Sequence, residues 1–291
     1  MKQVTNIDKK IDFCIIMAYA STEDSTRILQ GINSFNNQQG TYKIQIIIAD
    51  RRQNAISQKI KQEHPNVIVL PCSKDFTLPM LRTHALTVAD ATYIAVVEDH
   101  NIPANDWLIS VVEAFKCAPK NTAAVGGCIS NGVSESAFDK ATFLCEYSRY
   151  LVPVQEGVVN DIPGMNVVYK SDILKQIPSS VLEENFWEAS LHPELIKKGY
   201  TLYSSNKIKL THAKKFSFKL FATQRYLYSK HYAGVRFPCN RKLKKTLFCI
   251  ASIILPLILC MRIFNQVKAK KKLKTDFFPA LPALMVLTCI W

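Results

Sequence analysis

Three consecutive side chains, Glu98-Asp99-His100, carry the clearest chemical signal in the chain. They follow the short apolar run Tyr93 to Val97 (YIAVV) and precede Asn101-Ile-Pro, which places two carboxylates and an imidazole at the carboxyl end of a strand. Carboxylate oxygens and an imidazole nitrogen suit Mn2+ or Mg2+, and a divalent ion held there can bridge a diphosphate. Taken alone, the triplet also reads as a solvated turn between a strand and a helix. A second group of carboxylates, Glu183, Glu184 and Glu188, falls where a helical pattern from Leu182 to Lys198 begins, a place that the helix dipole favours for anions. There is no P-loop and no GxGxxG, which weighs against kinases and dinucleotide oxidoreductases.

The elements that must position these groups are legible in the first hundred residues. Phe13 to Ala18 (FCIIMA), Lys43 to Ala49 (KIQIIIA), Val67 to Leu70 (VIVL) and Tyr93 to Val97 are short, continuous, β-branched-rich runs separated by helical patterns. Runs of that kind are strands buried on both faces, so the spacing predicts a doubly wound α/β half with ligands at the carboxyl ends of its strands. From Ile102 to Arg236 the periodicity weakens. A helix from Trp107 through Phe115, strands at Ala123 to Ile129 and Ile208 to His212, a turn at Asp161 to Asn166 before Val167 to Tyr169, and the helix over Leu182 to Lys198 are expected there.

In this order and spacing the sequence resembles a family 2 glycosyltransferase of the GT-A fold, over residues 12 to 236. Glu98-Asp99-His100 falls where that family carries its DxD metal motif after the fourth strand; the last position is histidine here, as in the DxH of the polypeptide N-acetylgalactosaminyltransferases. The resemblance implies a nucleotide-sugar site lined by Ala18 at the end of the first strand, Asp50 near the base, Arg82 (in LRTHA) near the diphosphate, and Glu98 and Asp99. It implies a divalent cation, Mn2+ or Mg2+, on Asp99, His100 and His212, and an acceptor loop D-I-P-G-M-N ending at Asn166. Trp187-Glu188 with Leu191, Leu195 and Gly199 matches the family's ED..L...L...G spacing, which puts Glu188 on the catalytic carboxylate, with Glu184 as its nearest competitor. The implied activity is inverting transfer of a hexose from a nucleotide-sugar, a UDP-sugar being favoured, to a hydroxyl acceptor, lipid-linked or part of an envelope glycan. On the residues alone, Asp50 also reads as a helix N-cap and Arg82 as a surface ion pair. The family's asparagine after that arginine is Thr83 here. The rival functions are a nucleotidyltransferase, disfavoured because YASTEDSTR offers no glycine-rich phosphate loop, and a non-catalytic membrane-associated binding protein.

The chain has 291 residues, 48% hydrophobic and 21% charged, enough for a substantial core. Its net charge of +14 is uneven: residues 236–291 hold eleven Lys/Arg against the single acid Asp276, a net +10, and the remainder only +4. A basic tail flanking apolar runs suits an anionic membrane surface, and no nucleic acid partner is expected. The predicted organisation is a nucleotide-sugar half over 1–101, an acceptor and catalytic half over 102–236, and a membrane-associated tail over 237–291. The tail's apolar segments, Thr246 to Met261 and Phe277 to Trp291, are short for a span and contain Pro256, Pro279 and Pro282, so an interfacial or re-entrant hairpin is preferred to true spans or a buried core helix. Nine scattered cysteines without a CxxC pair, and charges in place of a signal peptide's apolar stretch, place the catalytic domain in the cytoplasm.

Overall fold

The computed structural model describes residues 11–20, 26–236 and 252–290, together with Thr246 and Ile250. The charged amino terminus before Ile11, the stretch Ser21 to Ser25, and Arg241, Lys242, Lys244, Lys245, Cys239, Cys249 and Trp291 lie outside the described residues.

The first four apolar runs form strands β1 (Ile11–Tyr19), β2 (Ile44–Asp50), β3 (Val67–Pro71) and β4 (Ala91–Glu98), all parallel, in the spatial order β3-β2-β1-β4. The intervening helices are α1 (Arg27–Asn36), α2 (Ala55–Glu63) and α3 (Leu78–Thr87), and α4 (Trp107–Cys117) follows β4. The runs are continuously apolar because both sheet faces are covered. Phe13, Ile15 and Met17 join a core with Ile28, Ile32 and Phe35 of α1 and Trp107, Leu108 and Val111 of α4. Cys14, Ile16 and Ala18 point to the opposite core with Leu81 and Ala85 of α3. Burial pushes the Cys14 thiol up to about 12, so it packs as a small apolar group.

Beyond β4 the sheet changes character. Strands β5 (Asn101–Pro103), β6 (Thr122–Asn131), β7 (Gly157–Val159), β8 (Asn166–Lys170) and β9 (Thr201–His212) extend it in the order β4-β8-β6-β9-β5, with β7 beside β9. The β4–β8, β6–β8, β5–β9 and β7–β9 pairings are antiparallel. The strand expected at Ile208 begins seven residues earlier, at Thr201. Its first half, TLYSSNK, alternates buried Leu202 and Ser204 with more open residues, a period-2 signal hidden because one inward residue is a serine.

The remaining helices are α5 (Ala137–Tyr147), α6 (Ser171–Leu174), α7 (Ser179–Asn185), α8 (Glu188–Lys197), α9 (Phe218–Arg236), α10 (Leu255–Ala269) and α11 (Phe278–Ile290). The single helix expected over Leu182 to Lys198 is two. Trp187 is extended (φ −123°, ψ 146°) and buried Phe186 fills the core, so the chain breaks at those two residues and restarts at Glu188.

Two compact units emerge, and they cut across the sequence-based boundaries. One comprises the chain up to Ser130 with Val154–Ala213; the other comprises Asn131–Pro153 with the chain from Lys214 onward. In the second unit, α5 opens with a capping box between Ser136 and Asp139, and Glu146 holds Arg225 of α9 at 2.7 Å. Helix α10 buries Leu259, Ile263 and Val267, and α11 buries Ala280, Leu284, Leu287 and Thr288. Each leaves an apolar stripe exposed: Ile254, Leu257, Ile258 and Met261 on α10, and Phe278, Met285 and Val286 on α11. Pro256 lies in the first turn of α10, where a missing N–H costs nothing, so it starts that helix and does not interrupt it. Among the described residues, one helical stretch, Leu273–Ile290, is long and apolar enough to cross a membrane.

Gly127 of β6 tests the sheet packing. A Cβ there would fall 2.2 Å from the Ile208 carbonyl oxygen and 2.5 Å from that of Ser205, both on β9. Gly127→Ala is therefore expected to lower stability by about 3 kcal/mol, read as a reduced urea midpoint with an unchanged slope.

Candidate active site

Strand β4 delivers Glu98 to the carboxyl edge of the parallel half, beside Ala18 in the β1–β4 register, while Tyr19 stands level with Asp50 of β2. His212 arrives from far along the chain: β5 and β9 pair with Asn101 opposite His212, and the Ala213 N–H donates to the His100 carbonyl at 3.1 Å. Nε2 of His100 then lies 2.9 Å from Nε2 of His212 and 2.9 Å from Oε2 of Glu98, with His212 Nε2 to Glu98 Oε2 at 3.8 Å. These three donors converge as a metal site would require. Two of the three separations, both 2.9 Å, match the edge of about 3.0 Å between cis ligands on an octahedron with ~2.1 Å bonds, while the His212–Glu98 separation of 3.8 Å is wider.

Asp99 stands next to this group and supports it. Its Oδ1 engages Nδ1 of His100 at 2.7 Å, which turns the ring so that Nε2 faces Glu98 and His212, and its Oδ2 accepts the Ala20 N–H at 3.3 Å. Where Asp99, His100 and His212 were the expected ligands, the converging set is Glu98, His100 and His212. Strand β4 ends at Glu98, and Asp99 and His100 lie in the turn that follows it, where the Asp99 carboxylate is engaged by the His100 ring and the Ala20 N–H. Burial, the largest influence on His100, disfavours its charged form, but the hydrogen bonds and charges of Asp99 and Glu98 outweigh it and raise the pKa above the ordinary histidine value.

Asp50 is buried at the end of β2, with Oδ1 accepting the Arg52 and Gln53 N–H groups at 2.9 Å each. The helix N-cap considered for Asp50 is instead Asn54, whose side chain closes a capping box with Ser57. Arg82 is not a surface ion pair: it is buried, donates from Nη1 to the Phe186 carbonyl at 2.9 Å, and its guanidinium lies 4.9 Å from the centre of the Trp187 ring. It therefore clamps the break between α7 and α8. Asn166 offers an acceptor no side-chain atom. Fully buried, it accepts from Trp107 Nε1 at 2.8 Å and donates to the carbonyls of Cys128 (2.9 Å) and Ile208 (3.2 Å).

The competing carboxylates separate cleanly. Glu183 and Glu184 are exposed on α7, whereas Glu188 is half-buried as the first residue of α8. Its carboxylate rests on Gly164 in the loop before Asn166, so closely that a Cβ on Gly164 would fall 2.1 Å from Oε2. One turn along α8, His192 hydrogen-bonds Tyr169 at 2.9 Å. Sequence reasoning passed over Asn101, Trp107, Tyr169 and His192; the one signal for His192 was its i+4 spacing from Glu188.

Residues 14 to 177, more than half of the chain, match the family model described as Glycosyl transferase family 2. The chain belongs to glycosyl transferase family 2. Its fold is the GT-A α/β type: the mannosyltransferase PcManGT from Pyrobaculum calidifontis, in complex with GDP-Man and Mn2+, superposes with a TM-score of 0.54 at 13% identity, over 96% of this chain and 80% of that one. No curated protein matches the chain. In this glycosyltransferase, Glu98, His100 and His212 form a donor set suited to a divalent cation. His212→Ala is expected to lower Mn2+ affinity by 10- to 100-fold, on the order expected when one ligand or its support is lost. Titration calorimetry with the metal alone measures this.

Proposed function

We propose that the chain catalyses inverting transfer of a hexose from a nucleoside-diphosphate sugar to a hydroxyl acceptor. The observation that carries this reading is the convergence of Glu98, His100 and His212 at the carboxyl edge of the parallel half of a family 2 transferase. A divalent cation held by those three side chains would supply positive charge to the departing diphosphate. Ala18 and Asp50 line the same edge and receive the nucleotide. UDP-sugars are the first donors to test and GDP-sugars, the class bound by PcManGT, the second.

Glu188 is the general base in this proposal. It stands at the head of α8, and its seat on Gly164 holds it beside the acceptor loop. The acceptor oxygen attacks the anomeric carbon as the bond to the diphosphate oxygen breaks; the hydroxyl proton passes to Glu188, and the bonding pair leaves with the diphosphate. Asn166 serves from behind, holding the loop in place, and Arg82 keeps the Phe186–Trp187 break that presents Glu188. Glu188→Gln retains shape but removes the basic site. It is expected to lower kcat by 10²- to 10⁴-fold and leave nucleotide-sugar affinity within about twofold, measured by radiolabelled transfer and calorimetry. Glu184→Gln should change neither.

The second unit supports a membrane-associated setting, and the proposal adds a catalytic domain in the cytoplasm and a lipid-linked or envelope-glycan acceptor. The exposed stripes of α10 and α11 flank the basic turn Lys268 to Lys274, so apolar surface and positive charge occur together. Each Lys or Arg near an anionic leaflet contributes about 1 kcal/mol, and the stripes add apolar burial. Full-length protein is expected to sediment with phosphatidylserine-containing vesicles at low salt. Binding should weaken several-fold with purely zwitterionic lipid and in about 0.5 M salt, where screening shortens the reach of the charges.

A further inference from the structure

We propose that His192 is a positioning residue for the transfer step, tying the Glu188 helix to the acceptor loop through Asp161 and to the central sheet through Tyr169. The proposal rests on the reading of Glu188 as the base. His192 lies on α8 one turn beyond Glu188, so the two side chains share a face, and it is 1% exposed. Nε2 is 2.9 Å from the Tyr169 hydroxyl on β8, and Nδ1 is 3.5 Å from Oδ1 of Asp161. Asp161 opens the segment Asp161 to Asn166, whose Gly164 receives the Glu188 carboxylate three residues later. One imidazole thus spans the same two elements, helix and loop, that meet at the base.

The chemistry of the three groups fixes the direction of the hydrogen bonds. A carboxylate facing Nδ1 favours the tautomer with its proton there, since a lone pair in that place would oppose the negative charge. Nε2 then accepts from the Tyr169 O–H. Burial, followed by the charge of Glu188, pushes the Tyr169 phenol up, with Arg82 opposing, so the hydroxyl keeps the proton that this arrangement needs. At 3.5 Å the Asp161 contact is longer than a good hydrogen bond, and Nδ1 is buried without a hydrogen-bonding partner. A buried, unmet N–H is costly, so any closer approach of the Asp161 end of the loop to α8 is favoured at this nitrogen. A buried histidine serving packing alone has no need of a carboxylate from the acceptor loop.

The test uses the full chain and a kinetic cycle with Glu188. His192→Ala is expected to reduce kcat by 10- to 100-fold, the scale of a misplaced catalytic group, with nucleotide-sugar affinity within twofold, measured at a temperature where the variant is fully folded, since losing the buried imidazole also lowers the melting temperature. His192→Asn, which keeps a donor near the Nδ1 position, should recover a substantial part of kcat, and Asp161→Asn should lose part of it. In the Glu188→Gln background His192→Ala should add no further loss, because a residue acting through the base has nothing left to position. If Glu188→Gln abolishes transfer while His192→Ala and Asp161→Asn both keep wild-type kcat, the positioning role is refuted and the base stands. A multiplicative loss in the double variant, or a fall in donor affinity parallel to kcat, also refutes it. If Glu188→Gln transfers normally, the base reading fails and takes this proposal with it. Should His192→Ala not fold, Asp161→Asn and Tyr169→Phe decide by the same criteria.

Discussion

The buried carboxamide of Asn166 is the constraint on which the site's architecture depends. It stands at the first residue of β8, where the parallel half gives way to antiparallel pairing, and all its hydrogen-bonding capacity in the described contacts goes to α4, β6 and β9. A fully buried amide left without partners would cost a few kcal/mol, so these elements are held to one arrangement. Close by, Asn101 donates to the Met165 carbonyl at 3.1 Å and fixes the residue just before this hub. Gly126 and Gly127 let β6 approach its neighbours closely enough for the carbonyl of Cys128 to reach the amide.

From that hub the two chemical centres are placed by different means. The cation donors depend on strand register: β4 carries Glu98 to the edge and the β5–β9 pairing sets His212 against His100. The carboxylate at 188 depends on a broken helix, with buried Phe186, extended Trp187 and the Arg82 clamp giving it a helix start of its own. The first arrangement is stiff because many ladder hydrogen bonds share it. The second rests on a few side chains, so substitutions at Arg82 or Trp187 should matter more than their distance from the strand edge suggests.

The parallel half, and Glu98 and His100 at its carboxyl edge, were legible in the sequence, because continuous apolar runs and a carboxyl-end polar cluster are local signals. So was the turn before Asn166. The division of labour within those motifs was not. Asp99 and Glu98 are adjacent in sequence, but which of them faces His212 depends on the turn that follows β4 and on a pairing more than a hundred residues away. Arg82 reads, on the residues alone, as a surface ion pair because sequence carries no trace of the Phe186 carbonyl that receives it. Asn166 was legible for its loop but not for its burial, since a buried amide and an exposed one are the same letter. The helix over 182–198 was extended too far because the apolar spacing continues through Phe186, and only the packing of that ring shows the break.

The separation of the two histidines also orders the way the chain assembles. Strands β1 to β4 are joined by local crossover helices and can associate from neighbouring sequence, whereas His100 and His212 are 112 positions apart. Contacts that distant are entropically slow to close and come late in topologies of mixed locality. During synthesis the nucleotide-facing strands emerge first, while the cluster of Glu98, Asp99 and His100 at their edge still faces water. Only when β9 docks are those charges enclosed, so the ribosome must release more than two hundred residues before the cation-binding pocket exists.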